Sequence, residues 1–283
     1  MKKVSGEIQF ERFKIPYRIY GESPRSILCL SGAKQTMSAW RSFVSYFLPD
    51  YQIVVFDMPG QGRAEILSGP PGVTLDEQLH IVDRVVRETG LEASIQKTIA
   101  GASWGAVLAS AYLDRYPDVF DSALLGSFGT KPNIVLKSVI QDVQRLINDG
   151  RAKDIAPMMI ERFGQNIPEK LKQQILNQFE RMSDDQFQSF YEHSVHVTEL
   201  EDLNQYVRLE NIQARCLVIM GQFDTIMDLF DTRQATSKIP KGEYHLVKGA
   251  GHFLHWEKEE ILDVYREFLE REEGATALSV SEN

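Results

Sequence analysis

The sequence predicts an α/β protein: a mostly parallel sheet with helices on both faces and a helical cap inserted between two of its strands. Three observations predict it. Short continuous apolar runs, of the kind buried on both faces of a parallel sheet, alternate with amphipathic helical patterns through residues 1–129 and again through 212–271. Across residues 130–211 no strand pattern is evident and only helical periodicity remains, which marks the cap. The predicted strand ends carry turns rich in Gly, Ser, Asp and His, and open α/β sheets bind their ligands beyond such ends.

In chain order, residues 8–13 and 15–20 read as two strands of a hairpin meeting near Lys14 and Pro16. Residues 26–30 form a continuous apolar strand that ends in Ser31-Gly32-Ala33, and a helix is expected over about 37–48. Residues 52–56 are a second such strand, running into Asp57-Met58-Pro59-Gly60-Gln61-Gly62. Thr74 is suited to cap a helix whose apolar face carries Leu75, Leu79, Val82, Val85 and Val86, stopping at Gly90. A strand over 95–100, a helix beginning near Val107 and a strand over 120–128 follow. In the cap, Val139, Ile140, Val143, Leu146 and Ile147 share one helical face closed by Gly150, and Leu171, Ile175, Leu176, Phe179 and Met182 share another. Pro157 and Pro168 punctuate these helices. A strand over 214–220, a helix over 229–238, a strand over 243–247 and a helix carrying Ile261, Leu262, Tyr265, Phe268 and Leu269 complete the core. Residues 272–283 read as a flexible polar tail.

Composition narrows the class. The chain has 283 residues, enough for one large domain with an insertion. Its net charge is −9, which argues against nucleic acid or an anionic membrane as the main partner. No apolar run reaches the about 20 residues that span a bilayer, and no signal-peptide core follows Met1-Lys2-Lys3. The two cysteines, Cys29 and Cys216, fall inside apolar strands and read as inert core thiols, so a cytoplasmic protein is expected, monomeric or homodimeric.

The chemistry centres on Gly101-Ala102-Ser103-Trp104-Gly105, a Gly-x-Ser-x-Gly string between a strand and a helix. A small-residue turn without chemistry would give the same five letters; the flanking strand and helix are what point to a nucleophile elbow. Such a turn lifts the Ser103 hydroxyl above the sheet edge and leaves the Trp104 N–H at a helix N-terminus, aimed where an oxyanion would form. The second oxyanion donor is expected after the strand 26–30, with the Ala33 N–H best placed. Serine needs a base, and the base needs an orienting carboxylate. Of six histidines, only His252 sits in a small-residue loop between a strand and a helix; His245 falls within a strand, His80 on a helix, and His255 three residues further on. Asp224 follows a strand by a short Gly-led turn, whereas Asp228 and Asp231 fall on the next helix and Asp57 reads as a turn residue that binds local N–H groups. The order Ser103, Asp224, His252 is that of the α/β-hydrolase triad.

On these residues the chain resembles the α/β-hydrolase superfamily over essentially its whole length. Leu30-Ser31-Gly32-Ala33, Val54-Val55-Phe56-Asp57-Met58-Pro59, Ala102-Ser103-Trp104-Gly105 and Gly251-His252-Phe253-Leu254 resemble one subfamily more narrowly, as does the cap from Ile167-Pro168 through His193 to Leu203-Asn204. That subfamily comprises bacterial 3-hydroxyacyl transferases and thioesterases, among them the hydroxyalkanoyloxyalkanoate synthase of rhamnolipid formation and the hydroxyacyl transferase linked to polyhydroxyalkanoate formation. The resemblance implies acyl transfer from a 3-hydroxyacyl thioester, carried by acyl carrier protein or coenzyme A, onto Ser103 and then to a hydroxyl or to water. It also implies substrate contacts at Gly32, Phe253 and His193, and no metal or redox cofactor. Departures are Ser31 in place of Asn, Thr225-Ile226-Met227 in place of Glu-Tyr-Thr after the acid, and Arg63-Ala64 in place of a serine after the Gly60-Gln61-Gly62 turn.

The cap adds a separate clue: residues 131–182 hold nine Lys and Arg against six Asp and Glu, a basic segment in an acidic chain, suited to an anionic carrier or to a solvated helix face of mixed charge. Its Met158, Met159, Phe163, Phe179, Met182, Phe187 and Phe190 suit the cap core, or in part an acyl tunnel. Two other readings are a plain carboxylic-ester hydrolase, which a wide wet cleft would indicate, and a non-catalytic ligand-binding member, which would hold His252 out of reach of Ser103. Dehalogenase or epoxide hydrolase chemistry would need a carboxylate where Ser103 stands.

Overall fold

The computed structural model describes residues 3–131, 133–200 and 202–271; the tail expected at 272–283 lies outside them. The chain starts with a hairpin, β1 (Lys3–Phe10) and β2 (Phe13–Tyr20), followed by β3 (Arg25–Leu30), α1 (Arg41–Phe47), β4 (Gln52–Phe56) and the two-residue β5 (Glu65–Ile66). Next come α2 (Leu75–Glu88), β6 (Gln96–Ala102), α3 (Trp104–Arg115) and β7 (Ser122–Gly126). Four helices then follow with no strand among the described residues: α4 (Ile134–Asn148), α5 (Ile155–Phe163), α6 (Glu169–Glu180) and α7 (Asp184–Glu199). Strand–helix alternation resumes with β8 (Arg215–Gly221), α8 (Leu229–Lys238), β9 (Gly242–Val247), the short α9 (Leu254–Glu257) and α10 (Ile261–Glu270).

The sheet order is β1-β2-β4-β3-β6-β7-β8-β9, with β5 attached to β2. The hairpin joins β4 antiparallel, and every pair from β4 to β9 is parallel. Side chains alternate across a strand, so Leu28, Leu30, Val54 and Phe56 face one side and Ile27, Cys29, Ile53 and Val55 the other. Helices α2, α3 and α8 cover the first face; α1 and α10 cover the second. Each fully buried aliphatic or aromatic side chain contributes about 1.5–3 kcal/mol, and both faces of the central strands collect this. Parallel pairing places the carboxyl ends of β3, β6, β7, β8 and β9 on one edge, and the loops beyond them cluster there.

Local signals explain most boundaries. Thr74 and Glu77 form a capping box at α2, and Gly90 follows with φ +68°. The helix expected over 37–48 opens as a 3₁₀ turn, Met37–Trp40, before α1. Pro157 does not end a helix: it sits in the first turn of α5, where a missing N–H costs nothing, while Pro168 stands as the N-cap of α6.

The hairpin corrects the sequence reading. Its strands meet at Glu11 and Arg12, not at Lys14 and Pro16; Pro16 lies within β2, paired with Glu7. The Pro16 carbonyl accepts from the Asp57 N–H just past the end of β4. An extended residue points its N–H and C=O the same way, so the missing N–H of Pro16 faces a place where the ladder has already stopped. Arg12 fixes the turn by pairing with Glu77 (2.9 Å) and donating to the Pro70 and Gly72 carbonyls. None of the helices among the described residues is long and apolar enough to cross a membrane.

Two glycines separate steric from conformational demand. A Cβ on Gly105 would overlap the Leu30 carbonyl oxygen, whereas Gly150, at φ +71°, has nothing within 4 Å of its added Cβ. Gly150→Ala should cost about 1 kcal/mol from the left-handed backbone alone. Gly105→Ala should cost about 4 kcal/mol or more, or leave no folded protein, since backbone must move against backbone. Denaturant unfolding of the two variants beside the native chain checks the contrast.

Candidate active site

The elbow is built by close backbone approach. β6 runs into Ser103, which holds φ +54° and ψ −119° before α3 begins. Such a conformation costs about 1–3 kcal/mol in a residue with a Cβ. It is held because the Ser103 N–H donates to the Gly126 carbonyl (2.8 Å) and its own carbonyl accepts from Ala106 and Val107. A Cβ on Gly101 would overlap the Gly105 carbonyl, so both flanking glycines are sterically required. The N–H groups of Trp104 and Ala33 donate to no acceptor among the described residues, and both residues line the same cavity as Ser103. Gly32 closes the turn before Ala33: its N–H donates to Gln35 Oε1 and its carbonyl accepts from the Gln35 N–H, both at 3.1 Å.

Three strand ends bring Ser103, His252 and Asp224 together. His252 Nε2 lies 3.0 Å from Ser103 Oγ, and His252 Nδ1 lies 2.8 Å from Asp224 Oδ2. The other Asp224 oxygen accepts from the Ile226 (2.9 Å) and Met227 (3.0 Å) N–H groups. Burial works against the Asp224 carboxylate, but the facing His252 ring and these N–H donors outweigh it and hold its pKa below the usual carboxylate range. The geometry lacks the gap between His252 and Ser103 that a ligand-binding member without a working triad would have.

The loop carrying His252 is clamped by residues that sequence reasoning missed. Glu257 accepts from the N–H groups of both Gly251 (2.6 Å) and Phe253 (3.1 Å). Ser127 Oγ donates to the His252 carbonyl at 2.6 Å. Glu257 carries no motif and its partners are backbone, so nothing in the string pointed to it. His245 lies on β9 and His80 on α2. His255 stacks on Trp40 at 5.5 Å, and burial lowers its pKa to about 4. Asp57 accepts from the N–H groups of Met37 and Arg63, so its carboxylate serves turns.

A cavity of about 170 Å³ opens above Ser103, walled mainly by apolar side chains of the cap such as Val139, Val143, Met159, Phe163 and Phe190. Phe179 and Phe187 instead pack inside the cap. Gly32, Phe253 and His193 all line this cavity. The His193 ring meets the Trp104 ring edge-on at 4.7 Å and has no hydrogen-bond partner among the described residues. Burial, and then the charge of Lys34, lower its pKa to about 3, so the ring is neutral near pH 7. The Trp104 indole N–H donates to Gln78 Oε1 (2.8 Å), fixing the ring that forms the cavity floor. Among the described residues no group of three or more His, Cys, Asp or Glu side chains is placed to hold a metal ion.

Lys34 joins this site to the cap. Its Nζ donates to the Gly60 (2.9 Å) and Gln186 (3.3 Å) carbonyls, and its own carbonyl accepts from Gln178 Nε2 (2.7 Å). The residue after Ala33 is thus bound to both α6 and α7. Burial lowers its pKa to about 7.

Comparison with known proteins bears on this arrangement. A family model described as the alpha/beta hydrolase fold matches residues 25–259. The chain is similar, at 20% identity over 247 residues, to the (R)-3-hydroxydecanoyl-ACP:CoA transacylase of Pseudomonas aeruginosa, covering 86% of this chain and 80% of that one. It is also similar, at 23% identity over 259 residues and 87% of each chain, to the 2-hydroxy-6-oxononadienedioate/2-hydroxy-6-oxononatrienedioate hydrolase of Paraburkholderia phymatum. Among solved structures, an alpha/beta hydrolase enzyme from a Medee basin deep-sea metagenome library superposes with a TM-score of 0.80 at 18% identity, over 98% of this chain and all of that one. The enol-lactonase of Burkholderia xenovorans gives 0.79 at 17% identity, over 94% of this chain and all of that one.

Lys34 yields a pH prediction. Unfolded, it keeps its proton to about pH 10.5; folded, it releases it near 7, so the unfolded chain binds more protons between these values. Stability then rises with pH through this window. The melting temperature of the native chain should gain on that of Lys34→Met between pH 7 and 9; a constant difference would contradict the buried neutral lysine.

Proposed function

The chain belongs to the alpha/beta hydrolase fold family, and on that premise we propose that it catalyses serine-dependent acyl transfer or hydrolysis on 3-hydroxyacyl thioesters, through an acyl-enzyme on Ser103. The donor thioester is carried by acyl carrier protein or coenzyme A. The observation that carries this reading is a Ser103–His252–Asp224 chain of contacts opening onto an apolar chamber under the cap, with one neutral histidine in its wall. An apolar chamber suits a fatty acyl chain better than the wide wet cleft of a general esterase. The similarity to transacylases named for 3-hydroxydecanoyl groups supports the same substrate class.

The steps follow from the geometry. Ser103 Oγ attacks the thioester carbon as its proton passes to His252 Nε2, and Asp224 stabilises the imidazolium through Nδ1. The carbonyl oxygen becomes an oxyanion between the Ala33 and Trp104 N–H groups; removing one such donor typically costs about a hundred- to a thousand-fold in rate. Collapse breaks the C–S bond, and the departing thiolate takes the proton from His252. The acyl-enzyme is then attacked by the hydroxyl of a second 3-hydroxyacyl group or by water, with His252 accepting that proton and returning it to Ser103 Oγ.

His193 is the residue we assign to the 3-hydroxyl. A neutral imidazole has one donor and one acceptor nitrogen, and a polar group set among mainly apolar side chains favours a partner that can hydrogen-bond to it.

Intact-protein mass spectrometry after brief mixing with 3-hydroxydecanoyl-coenzyme A is expected to show an acyl adduct on the native chain and none on Ser103→Ala. Its decay to a dimeric hydroxyacyl ester would mark a transferase and decay to free acid a thioesterase; no adduct, with fast turnover of short esters, would overturn the reading. His193→Phe is expected to lower the preference for 3-hydroxydecanoyl over decanoyl thioester about tenfold, the worth of one hydrogen bond. An unchanged preference would remove His193 from that role.

A further inference from the structure

A second cavity, of about 570 Å³, lies between the cap and the core beside the triad. Its walls are the segment 33–42, the length of α6, part of α5 and the α9 region. Ala33, Gln35, Met159 and Phe253 line both this cavity and the chamber above Ser103, so the two spaces meet at the proposed oxyanion loop. Their characters differ. The chamber is almost wholly apolar, whereas the outer groove is mixed, with Thr36, Ser38 and Gln174 set among Ile160, Leu171 and Ile175.

The groove is also positive. Arg41 and Lys170 line it, both are exposed, and neither has a carboxylate partner among the described residues. Glu259 is its one acidic side chain. The first turn of the twelve-residue α6 faces the same space through Pro168, Lys170 and Leu171, and no side chain caps its N–H groups. Two unpaired cations and an uncapped helix N-terminus at the rim form a place for a phosphate. Between that rim and Ser103 the wall carries hydroxyl and amide groups interspersed with apolar side chains.

We infer that this groove seats the phosphopantetheine arm of the donor thioester, an inference that rests on the thioester reading above. The arm's two amides lie along Thr36, Ser38, Gln174 and Gln178, and its phosphate lies between Arg41 and Lys170. Its sulfur arrives beside Ala33 and Ser103, and the acyl chain passes on into the apolar chamber. Coenzyme A and acyl carrier protein share this arm, and the groove reads the part that they share. The arm alternates amides with methylene and gem-dimethyl groups, so a groove of mixed lining that leads to an apolar chamber matches arm and acyl chain in order and in direction.

The test uses the full chain and one acyl group, (R)-3-hydroxydecanoyl, on three carriers: coenzyme A, acyl carrier protein, and N-acetylcysteamine, which keeps the thioester and one amide but has no phosphate. The double variant Arg41→Glu/Lys170→Glu, with folding checked by its melting temperature, is compared with the native chain. The expected result is that kcat/KM for both phosphate-bearing carriers, relative to N-acetylcysteamine, falls about tenfold or more, through KM rather than kcat. Raising salt should erode the same preference in the native chain. An equal change on all three carriers would overturn the proposal, because the cations would then act on the acyl group or the fold. Loss confined to the carrier protein would assign them to its surface, and loss confined to coenzyme A would assign them to its nucleotide; either result overturns it too. If the native chain turned over none of the three, the thioester reading would fail and the groove assignment with it; turnover of all three with no change in preference would remove the groove alone.

Discussion

The approach of the Gly105 backbone to the Leu30 carbonyl is the contact on which the rest of the molecule depends. It lets α3 start directly against the end of β3. That position forces the turn from β6 into α3 to be tight enough to hold Ser103 at positive φ. The same contact decides where the chain leaves β3, and so where Gly32 and Ala33 lie relative to Ser103; a Cβ on Gly32 would already crowd the Ala102 carbonyl at 3.1 Å. The proposed nucleophile and oxyanion loop are therefore one mechanical unit, set by backbone packing and not by side-chain contacts. The strain at Ser103 is offset by hydrogen bonds that only this geometry allows, notably its N–H to the Gly126 carbonyl.

His252 and Asp224, the proposed base and acid, are fixed by the same means on neighbouring strand ends. A Cβ on Gly221, the last residue of β8, would overlap the Gly251 carbonyl, so the loop carrying His252 comes down onto the end of β8 only because that strand finishes in glycine. Glu257 then binds the N–H groups on either side of His252, and Ser127 binds its carbonyl. The ring is left with little freedom except in its contacts to Ser103 and Asp224. In a buried site such fully partnered polar groups stiffen one arrangement, while a half-partnered one would be costly.

Much of this could be read in the string, and the reason is physical. Continuous apolar runs and the Gly-x-Ser-x-Gly turn are local, so the order of strands and helices, the cap segment without strands, and the strand-end positions of Ser103, Asp224 and His252 were legible from neighbours alone. What was not legible depends on contacts between distant segments. Pro16 looked like a turn residue because its one-sided hydrogen bonding at the end of β4 is invisible without the partner strand. Glu257 looked like one more surface acid in a charged stretch. Lys34 looked like an ordinary solvated lysine after a turn, yet its amino group is enclosed by the Gly60 turn and α7. That enclosure exists because Gly60, which would overlap Ser189 if it carried a Cβ, lets α7 settle on the core.

The cap meets the core partly around Ser103, and this bears on how it works. Its apolar side chains form a cluster separate from the two flanking the sheet, and that cluster reaches the core mainly through Met220, Ile226, Met227 and Phe253. Three of these four line the chamber above Ser103. Much of the cap's apolar contact with the core is therefore the wall of the cavity itself, beside the polar contacts that Lys34 and the Gly60 turn make. An acyl chain in that cavity would touch both sides at once and complete an apolar core that the protein alone leaves open. A ligand that binds only the folded arrangement stabilises it in proportion to its own binding. If an acyl chain binds there as proposed, substrate and cap would in this way order one another.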